Sequence, residues 1–546
     1  MDRKYTEAEL NSLDKAALIS LFLSVQSMAE ELSSTVTAQK EQLNLMNQKL
    51  DLLLEQLNIS KQRQFGRSSE KMDFVGQLSL DECFNEAEAI ITNKYILEPE
   101  LEQITPSPYT RKKAKGKREQ DLKDLPVKVI QHELSEEELT SRLGPNWKRL
   151  PDEVYKRLAF HPATFEVEEH HVAVYAGMDG QTIIRGDRPV DLLRNSIATP
   201  SLEAAIINSK YVNAIPLYRL EQEFARNDVH LSRQVMANWT IQCGERYLSL
   251  LYDRLHQELY KANVLQADET PVLVSKDGRP AGSKSYMWVY RTGKMYQSNP
   301  IVLYEYQRTR NTSHPREFLK DYSGTVVTDG YQVYHTLEKE RDDLKIAGCW
   351  SHARRHFSNV TKTLGKDKSK GTLANDALKQ IAFIYKIEGM LNHLTPEERR
   401  QQRQLMVKPL VDAFFAWIKE HQSDVLPKSE TGKGFTYCLN QEKYLRVFLD
   451  DGNVPADNNA AEGAIRGFCI GKANWHLIDT IEGAKASAII YSIAETAKAN
   501  QLKPYYYFEY LLTEIPKHMD DKNLDFLGDL LPWSETLPEY CKKQKQ

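Results

Sequence analysis

NVLQADETPVLVSK (Asn263–Lys276) decides the fold, together with SYMWVYRTG (Ser285–Gly293) and PIVLYEYQRTR (Pro300–Arg310), which follow it. All three stretches are rich in β-branched and aromatic residues and are separated by turn residues, which predicts three consecutive strands. A helical stretch then leads to the strand GTVVTDG (Gly324–Gly330), and a second helical stretch leads to LKIAGCW (Leu344–Trp350). The order β-β-β-α-β-α-β joins an antiparallel meander to parallel strands added by crossovers. This order predicts a multidomain α/β protein with a ribonuclease-H-like core.

Two aspartates lie in these strands at positions where burying a carboxylate costs free energy. Asp268 is near the middle of the first strand among apolar neighbours, and Asp329 ends the fourth strand. A carboxylate in a buried strand is hard to desolvate unless it is paired or bound to a cation. Because the first and fourth strands are neighbours in the predicted fold, we expect the two carboxylates to converge on one cation.

A third acid comes from ADNNAAEGAIRGF (Ala456–Phe468), which indicates a helix capped by Asp457 or Asn458 with Glu462 one turn later. Singly, each acid has a plainer interpretation, because an Asp before Gly is usually a turn residue and a helical Glu is usually a solvated charge. Their conjunction within one fold order favours a shared site. The predicted catalytic and metal-binding triad is Asp268, Asp329 and Glu462.

The chain has more residues between the second and third acids than the fold needs, since 462 − 329 = 133. The excess predicts a helical insertion over residues 351–450, between two parts of the catalytic core at 261–350 and 451–500. The other predicted divisions are a coiled-coil helix at 1–60, a basic and acidic linker at 61–120, a small β-rich domain at 121–195, a helical region at 196–260 and a C-terminal element at 501–546.

The N-terminal segment carries a 3.5-residue apolar repeat with one polar exception, Gln39. Its a and d positions are Phe22, Val25, Ala29, Leu32, Val36, Gln39, Leu43, Met46, Leu50, Leu53 and Leu57. A repeat of this length is typical of a coiled-coil seam and predicts a homo-oligomer. The alternative is a helix packed on its own protein, although a globular core usually needs a wider apolar stripe.

Basic residues cluster in the linker, where six of eight neighbouring residues are Arg111, Lys112, Lys113, Lys115, Lys117 and Arg118. Such a run attracts phosphates, although a solvated linker would carry the same charge. In the helical region, Ser232 can cap a helix whose apolar face holds Val235 and Trp239. This helix would turn three polar residues partly outward, as in helix-turn-helix DNA recognition: Arg233, Gln234 and Asn238. An ordinary helical bundle explains the pattern equally well, because the turn lacks a diagnostic glycine.

The remaining DNA-contact candidates flank the acids. Arg354 and Arg355 would either contact phosphate or cap the inserted helices, and Arg466 shares the Glu462 face of its helix. Lys472 could contact the phosphates of a DNA end, and Trp475 could stack on its bases. The alternative for Trp475 is a position in the protein core.

A C-x-x-H spacing joins Cys349 and His352 after the fifth strand. With two candidate ligands nearby, we expect a hydrogen-bonded pair there rather than zinc.

Composition excludes some classes of protein. Lys and Arg number 72 against 76 Asp and Glu, so the net charge of −4 excludes a protein that coats nucleic acid by bulk charge, but not one with local basic patches. The apolar run at 16–25 is too short to span a bilayer, and no secretory signal is recognised. None of the six cysteines forms a C-x-x-C pair, which predicts free thiols in a reducing cytoplasm.

Eight blocks follow one another in the order of a known family. They are QFGRSSEK (Gln64–Lys71), SKYVNAIPLYRLEQEFAR (Ser209–Arg226), ADETPV (Ala267–Val272), TDGYQVY (Thr328–Tyr334), CWSHARRHF (Cys349–Phe357), DNNAAEGAIR (Asp457–Arg466), GKANW (Gly471–Trp475) and YSIAETAKANQLKPYYYFEYLL (Tyr491–Leu512). Together they resemble the large transposase of the insertion sequence 66 family, a DDE-type enzyme. By position, Asp268, Asp329 and Glu462 match the family's catalytic triad.

The resemblance implies two Mg²⁺ (or Mn²⁺) ions and double-stranded DNA, both element ends and target, as substrate. It also implies small accessory transposition proteins and a bacterial, nucleoid-associated location away from the membrane. Two departures stand out. The family helix usually has an arginine after the glutamate and a proline after the second arginine, where this chain has Gly463 and Gly467. Many relatives have a cysteine zinc ribbon, whereas residues 120–195 contain no cysteine, so we expect no zinc there.

We therefore expect a transposase that cuts the ends of an insertion sequence and transfers the 3′-hydroxyl into target DNA. One alternative is a ribonuclease-H-like nuclease that cuts without strand transfer. Another is a non-catalytic DNA-binding remnant, with Gly463 and Gly467 as signs of decay.

Overall fold

The computed structural model describes residues 14–65, 165–172, 174–176, 183–185 and 190–543, apart from 281, 294, 297 and 366. The chain divides into two compact units, one of residues 1–94 and 190–546 and the other of residues 95–189. In the second unit, β1 (Val174–Ala176) pairs antiparallel with β2 (Ile183–Arg185). Residues 165–172, which precede β1, are irregular. The basic run at 111–118 lies outside the described residues.

α1 (Lys15–Phe65) is one continuous helix of 51 residues. The Asp14 carboxylate caps it by accepting a hydrogen bond from the backbone N–H of Ala17 at 2.7 Å. Large apolar side chains of the predicted seam are exposed along it, namely Phe22, Val25, Leu32, Val36 and Met46. The N-terminal helix is confirmed, and its pairing with a second helix stays a prediction.

Within the described residues 190–263, four α-helices precede the main sheet, and one of them has the N-cap that its sequence predicts. They are α2 (Pro200–Ile207), α3 (Leu217–Arg226), α4 (Arg233–Cys243) and α5 (Ser249–Leu259). A π-helical turn at Asn208–Val212 extends α2, and another at Gly244–Leu248 joins α4 to α5. Ser232 caps α4 by accepting from the backbone N–H of Val235 at 3.3 Å.

The main sheet contains six strands among the described residues. They are β3 (Val264–Lys276), β4 (Lys284–Thr292), β5 (Val302–Gln307), β6 (Gly324–Val327), β7 (Leu344–Ala347) and β8 (Ile478–Thr480). Their order across the sheet is β5-β4-β3-β6-β7, and β8 pairs with the last residues of β3. β3, β4 and β5 form an antiparallel meander, whereas β6 runs parallel to β3 and β7 runs parallel to β6. The predicted mixed sheet is confirmed.

Helices cover both faces of this sheet. α6 (Ser313–Phe318) and α7 (Gln332–Glu340) are the crossovers between β5 and β6 and between β6 and β7. Tyr290 of β4 stacks on Phe318 of α6, with ring centroids 3.7 Å apart. α7 lies on the same face, where Tyr334 contacts Trp288.

The segment predicted as an insertion is helical and packs around a second hydrophobic core, which also contains Val264, Val327 and Ala347 of the sheet. Its helices are α8 (Trp350–Leu364), α9 (Leu373–Met390), α10 (Pro396–Gln402), α11 (Lys408–Glu420) and α12 (Glu430–Leu445). A π-helical turn at Arg403–Val407 joins α10 to α11. Trp350, Phe357 and Phe414 are fully buried in this core. α9 begins at Leu373, because Thr372 caps it by accepting from the backbone N–H of Asn375.

The last helices return to the sheet. They are α13 (Asn459–Trp475), α14 (Ile481–Ala499) and α15 (Pro504–Glu514). α14 lies on β5, where the hydroxyls of Ser492 and Thr496 accept hydrogen bonds from the backbone N–H groups of Tyr304 and Val302. Within the described part of the chain, none of the helices combines the length and the apolarity needed to cross a membrane. The cysteines described there are free and buried: Cys243, Cys349, Cys438, Cys469 and Cys541.

Candidate active site

Asp268 lies on the face of β3 that α13 covers. Successive strand residues point to opposite faces, so Asp268 shares its face with Gln266 and Thr270. The Gln266 amide donates to the carbonyl of Asp457 at 3.1 Å, and the Thr270 hydroxyl lies 3.7 Å from the Cys469 thiol of α13. Asp268 therefore lies between two side chains that contact α13 or the residues leading into it.

Asn458 fixes the start of α13 against β3. Its side-chain amide donates to the carbonyl of Ala267 at 2.8 Å, while the Asp457 carboxylate accepts from the backbone N–H of Asn459 at 3.1 Å. Of the two predicted caps, Asn458 occupies the N-cap position, but its side chain bonds to β3 and makes no capping hydrogen bond. Glu462, one turn later, is almost fully buried. The structure therefore brings the third acid to the sheet, on the side where Asp268 lies.

Asp329 follows β6, in a tight turn that the insertion contacts. Its carboxylate accepts from the backbone N–H of Tyr331 at 2.9 Å, and its carbonyl accepts from the Tyr437 hydroxyl of α12 at 2.8 Å. Gly330 has φ +93°, and a Cβ atom there would lie 2.9 Å from the Gln441 side chain. Helix α12 of the insertion therefore holds the loop that carries the second acid. The sequence pattern of α12 has no local signal for this contact.

Glu462 meets three residues of the β7–α8 segment. His352 Nδ1 lies 3.3 Å and an Arg355 guanidinium nitrogen 3.5 Å from Glu462 Oε1. The ligand atoms of Cys349, His352 and Glu462 all lie within 4.8 Å of one another. The premise that Cys349 and His352 have no third ligand nearby is therefore wrong. Among the described residues, this close group does not include Asp268 or Asp329.

Glu269 is a buried acid next to the predicted site that sequence reasoning missed. Burial and the charge of Asp329 raise its pKa to about 7, against the opposing effect of the Arg310 guanidinium. Arg310 forms an ion pair with Glu269 and stacks on the Tyr331 ring, 3.7 Å from its centroid. Glu269 stood in the quoted ADETPV block, but strand alternation turns it to the face opposite Asp268. Negative charge thus concentrates where the pairing of β3 with β6 ends.

The predicted DNA-contact residues of α4 are on its surface. Arg233, Gln234 and Asn238 are exposed, and the Arg233 guanidinium lies 5.5 Å from the Tyr218 ring centroid. The buried face of α4 holds Met236 and Trp239, so the placement of Val235 on that face was wrong. Val235 follows the cap and is exposed because Met236, one residue later, takes the inward position.

The candidates near the acids differ in their surroundings. Lys472 donates to the carbonyl of Pro271 at 2.7 Å, and Trp475 packs on Phe468 with ring centroids 5.6 Å apart. These contacts match the core alternative for Trp475. Arg354 and Arg466 are half-buried, and Arg355 forms an ion pair with Glu462.

The described residues thus form a mixed sheet with acidic side chains on and beside its strands and helices packed against it. Comparison with known proteins gives the class and the family. The family model described as "Transposase IS66 family" matches residues 195–486, the one described as "IS66 C-terminal element" matches residues 492–533, and the one described as "Transposase C of IS166 homeodomain" matches residues 52–130. The chain belongs to the IS66 family of transposases.

Curated relatives span most of the chain without adding an activity. The uncharacterized protein y4qI of Sinorhizobium fredii is 28% identical over 395 residues, which cover 69% of this chain and 70% of that protein. The uncharacterized protein y4hP of the same organism is 26% identical over 405 residues, covering 71% of this chain and 72% of that protein.

Proposed function

We propose that this chain is a DDE transposase that cuts DNA at the ends of its insertion sequence and joins the freed 3′-hydroxyl to target DNA. The observation that carries the proposal is the packing of α13 on β3, because it brings the buried Glu462 to the face of the sheet where Asp268 lies. Membership of a transposase family supports the same conclusion. Asp268, Asp329 and Glu462 are the proposed catalytic residues.

The proposed core fold is ribonuclease-H-like. Its support is the strand order β5-β4-β3-β6-β7 with an antiparallel first half and a parallel second half. In that arrangement β3 and β6 are neighbours, and their pairing ends at Gln266 opposite Val327. Asp268 lies two residues after Gln266 in β3, and Asp329 lies two residues after Val327, just beyond the end of β6. The two aspartates therefore follow the paired residues by the same number of positions.

The proposed metal ligands fit Mg²⁺ or Mn²⁺ by their chemistry. All three are carboxylates, which hard divalent cations prefer, and the pKa of Glu269 is raised partly by the nearby charge of Asp329, which indicates an excess of negative charge. Two ions held by Asp268, Asp329 and Glu462 would activate the attacking hydroxyl and stabilise the leaving 3′-oxygen. The chain's part is to fix the carboxylates: Asn458 anchors the Glu462 helix, and Tyr437 holds the Asp329 loop.

DNA contacts are proposed at α4 and at the basic run of residues 111–118. The exposed α4 residues Arg233, Gln234 and Asn238 follow a capped helix start, the part of a recognition helix that reaches base edges. The basic run at 111–118 would add phosphate contacts. Arg354, Arg355 and Arg466 are half-buried near Glu462 and would meet phosphate only at the site itself. Accessory transposition proteins, the cytoplasmic, nucleoid-associated location and the domain limits given above remain proposals from the family resemblance and the sequence.

We expect α1 to make the protein a homo-oligomer, because its exposed apolar side chains follow the a and d spacing. Sedimentation should give an oligomer for the full chain and a monomer for a chain shortened to begin at Lys61. A full-length variant with Leu32→Lys and Val36→Lys should also be a monomer. If the full chain and both variants sediment as monomers at micromolar concentration, the seam does not pair.

The decayed-remnant alternative depends on two glycines, but α13 continues unbroken through Gly463 and Gly467. A Cβ atom at Gly463 would meet nothing within 4 Å, and one at Gly467 would lie 3.1 Å from the end of the Glu495 side chain. The glycines therefore lower helix stability without changing the direction of Glu462.

We expect Gly463→Ala to raise the free energy of unfolding by about 0.5–1 kcal/mol, because a helix-interior glycine loses more backbone freedom on folding than alanine. Chemical denaturation measures this difference. Gly432→Ala is the matched control: its Cβ would lie 2.0 Å from the Leu426 carbonyl oxygen, so it should destabilise. A destabilised Gly463→Ala variant would mean that the helix requires glycine there.

The function is tested with the purified chain, DNA carrying the element's ends, and Mg²⁺. Nicking at the ends separates an active enzyme from a DNA-binding remnant. Joining of the 3′-hydroxyl to a second DNA separates a transposase from a nuclease that only cuts. Binding without any nicking in Mg²⁺ or Mn²⁺ would contradict the proposal.

A further inference from the structure

Cys349, His352 and Glu462 bring three different donor groups together from two parts of the chain. Cys349 and His352 lie at the start of α8, and Glu462 lies on α13, 462 − 349 = 113 residues beyond Cys349. Their sulfur, nitrogen and oxygen atoms all lie within 4.8 Å of one another. A mixed S/N/O set suits zinc and related thiophilic ions, whereas Mg²⁺ does not take a cysteine ligand.

The Cys349 sulfur lies at the start of a helix and beside backbone N–H groups. Cys349 is the N-cap residue of α8, a helix of 15 residues, and a helix N-terminus stabilises a negative sulfur. Its sulfur accepts a hydrogen bond from the backbone N–H of Asn458 at 3.1 Å. Burial and then the charge of Glu462 hold the pKa of the free thiol well above its ordinary value, and the backbone N–H groups of Asn458 and His352 offset only part of this rise. The sulfur thus has the backbone donors that metal-bound thiolates commonly have around them.

The geometry needs only a small adjustment to hold an ion. Ligand atoms that lie about 2.0–2.3 Å from a tetrahedral zinc ion are about 3.5 Å from one another. The longest distances between the Cys349, His352 and Glu462 ligand atoms therefore have to shorten by about 1 Å. Access is from the side of His352 and Arg355, whose side chains are 18% and 30% exposed. Arg355 places positive charge 3.5 Å from Glu462 Oε1, and a bound ion would take over its role of neutralising that carboxylate.

We propose that Cys349, His352 and Glu462 form a binding site for a thiophilic divalent cation such as Zn²⁺. The ion takes a thiolate, an imidazole and a carboxylate, and the thiol proton is released to solvent. One coordination position stays open for water, as in zinc sites with three protein ligands. This departs from the expectation drawn from the C-x-x-H spacing alone, which counted two ligands. The site shares Glu462 with the proposed catalytic triad, so an ion bound here would compete with the catalytic ions for that carboxylate.

Co²⁺ is the probe, because it substitutes for zinc and gives a charge-transfer absorption band when a thiolate binds it. Titration of the full chain with Co²⁺ should produce this band with one equivalent, and Zn²⁺ should abolish it. Cys349→Ser should lose the band. Cys438→Ser is the matched control, since Cys438 is also fully buried but lies in α12, outside the group, and it should keep the band.

Two more variants keep the test decisive if Cys349→Ser folds poorly. His352→Gln should weaken Co²⁺ binding by about tenfold or more through loss of a ligand. Arg355→Gln should strengthen binding by about tenfold, because it removes a cation next to a ligand. Absence of the band in the parent, its persistence in Cys349→Ser, or weaker binding in Arg355→Gln would each overturn the site. The readout needs no DNA, so failure here leaves the proposed function standing, and failure to cut DNA leaves the metal site standing.

Discussion

Asp268→Ala, Asp329→Ala and Glu462→Ala are each expected to lower DNA cleavage and strand transfer by at least ~100-fold, the usual loss when a group that stabilises transition-state charge is removed. DNA binding should stay nearly unchanged. Affinity for DNA comes mostly from Lys and Arg contacts to phosphate, and carboxylates repel DNA until a cation neutralises them. Removing one carboxylate therefore removes a metal ligand without removing a DNA contact.

Band-shift affinity in EDTA, compared with nicking in Mg²⁺, tests this for each variant and the parent. Asp479→Ala is the matched control, because Asp479 is an exposed acid that pairs with Lys276 on the surface. Normal cleavage by the Glu462 variant would mean that the third acid is another residue, with Asp457 and Glu482 next to test. Loss of binding together with loss of cleavage would mean that the acids are structural.

The second large effect is expected from Arg403→Leu, which should lower the free energy of unfolding of the insertion by about 3–5 kcal/mol. Arg403 is fully buried and forms an ion pair with Glu388. It also donates to the carbonyls of Phe448, Asp451 and Val454, at 2.6, 2.7 and 3.0 Å. The leucine would leave a buried carboxylate and three carbonyls without their donor. These carbonyls lie in the segment that leads from the insertion to α13.

Urea unfolding followed by tryptophan fluorescence measures the loss, since Trp350 and Trp417 both lie in the insertion. The double variant Arg403→Leu with Glu388→Leu should recover part of it, because no buried charge is then left alone. Arg400→Leu is the control: Arg400 pairs with Glu397 on the surface, so its loss should barely change stability. A change of less than about 1 kcal/mol for Arg403→Leu would show that the buried pair contributes little.

The strands of the main sheet could be predicted because each is a local pattern. β3 to β7 begin within about two residues of the positions that β-branched and aromatic residues predict. Their ends were less predictable: β6 ends at Val327, before Asp329, because the chain turns at Gly330. In α4 the pattern placed Val235 inward, but the cap at Ser232 sets a helix rotation that buries Met236 and Trp239.

The sequence alone determined which elements form and which carboxylates they carry, because apolar periodicity, caps and turn residues act over a few neighbouring positions. Tertiary structure decided which residues those carboxylates contact. The Tyr437 contact to Asp329 spans 108 residues, and the group of Cys349, His352 and Glu462 joins the start of the insertion to the helix after it. Such contacts depend on how the insertion packs back onto the sheet. Packing is a property of complementary surfaces, so no spacing within the printed sequence records it.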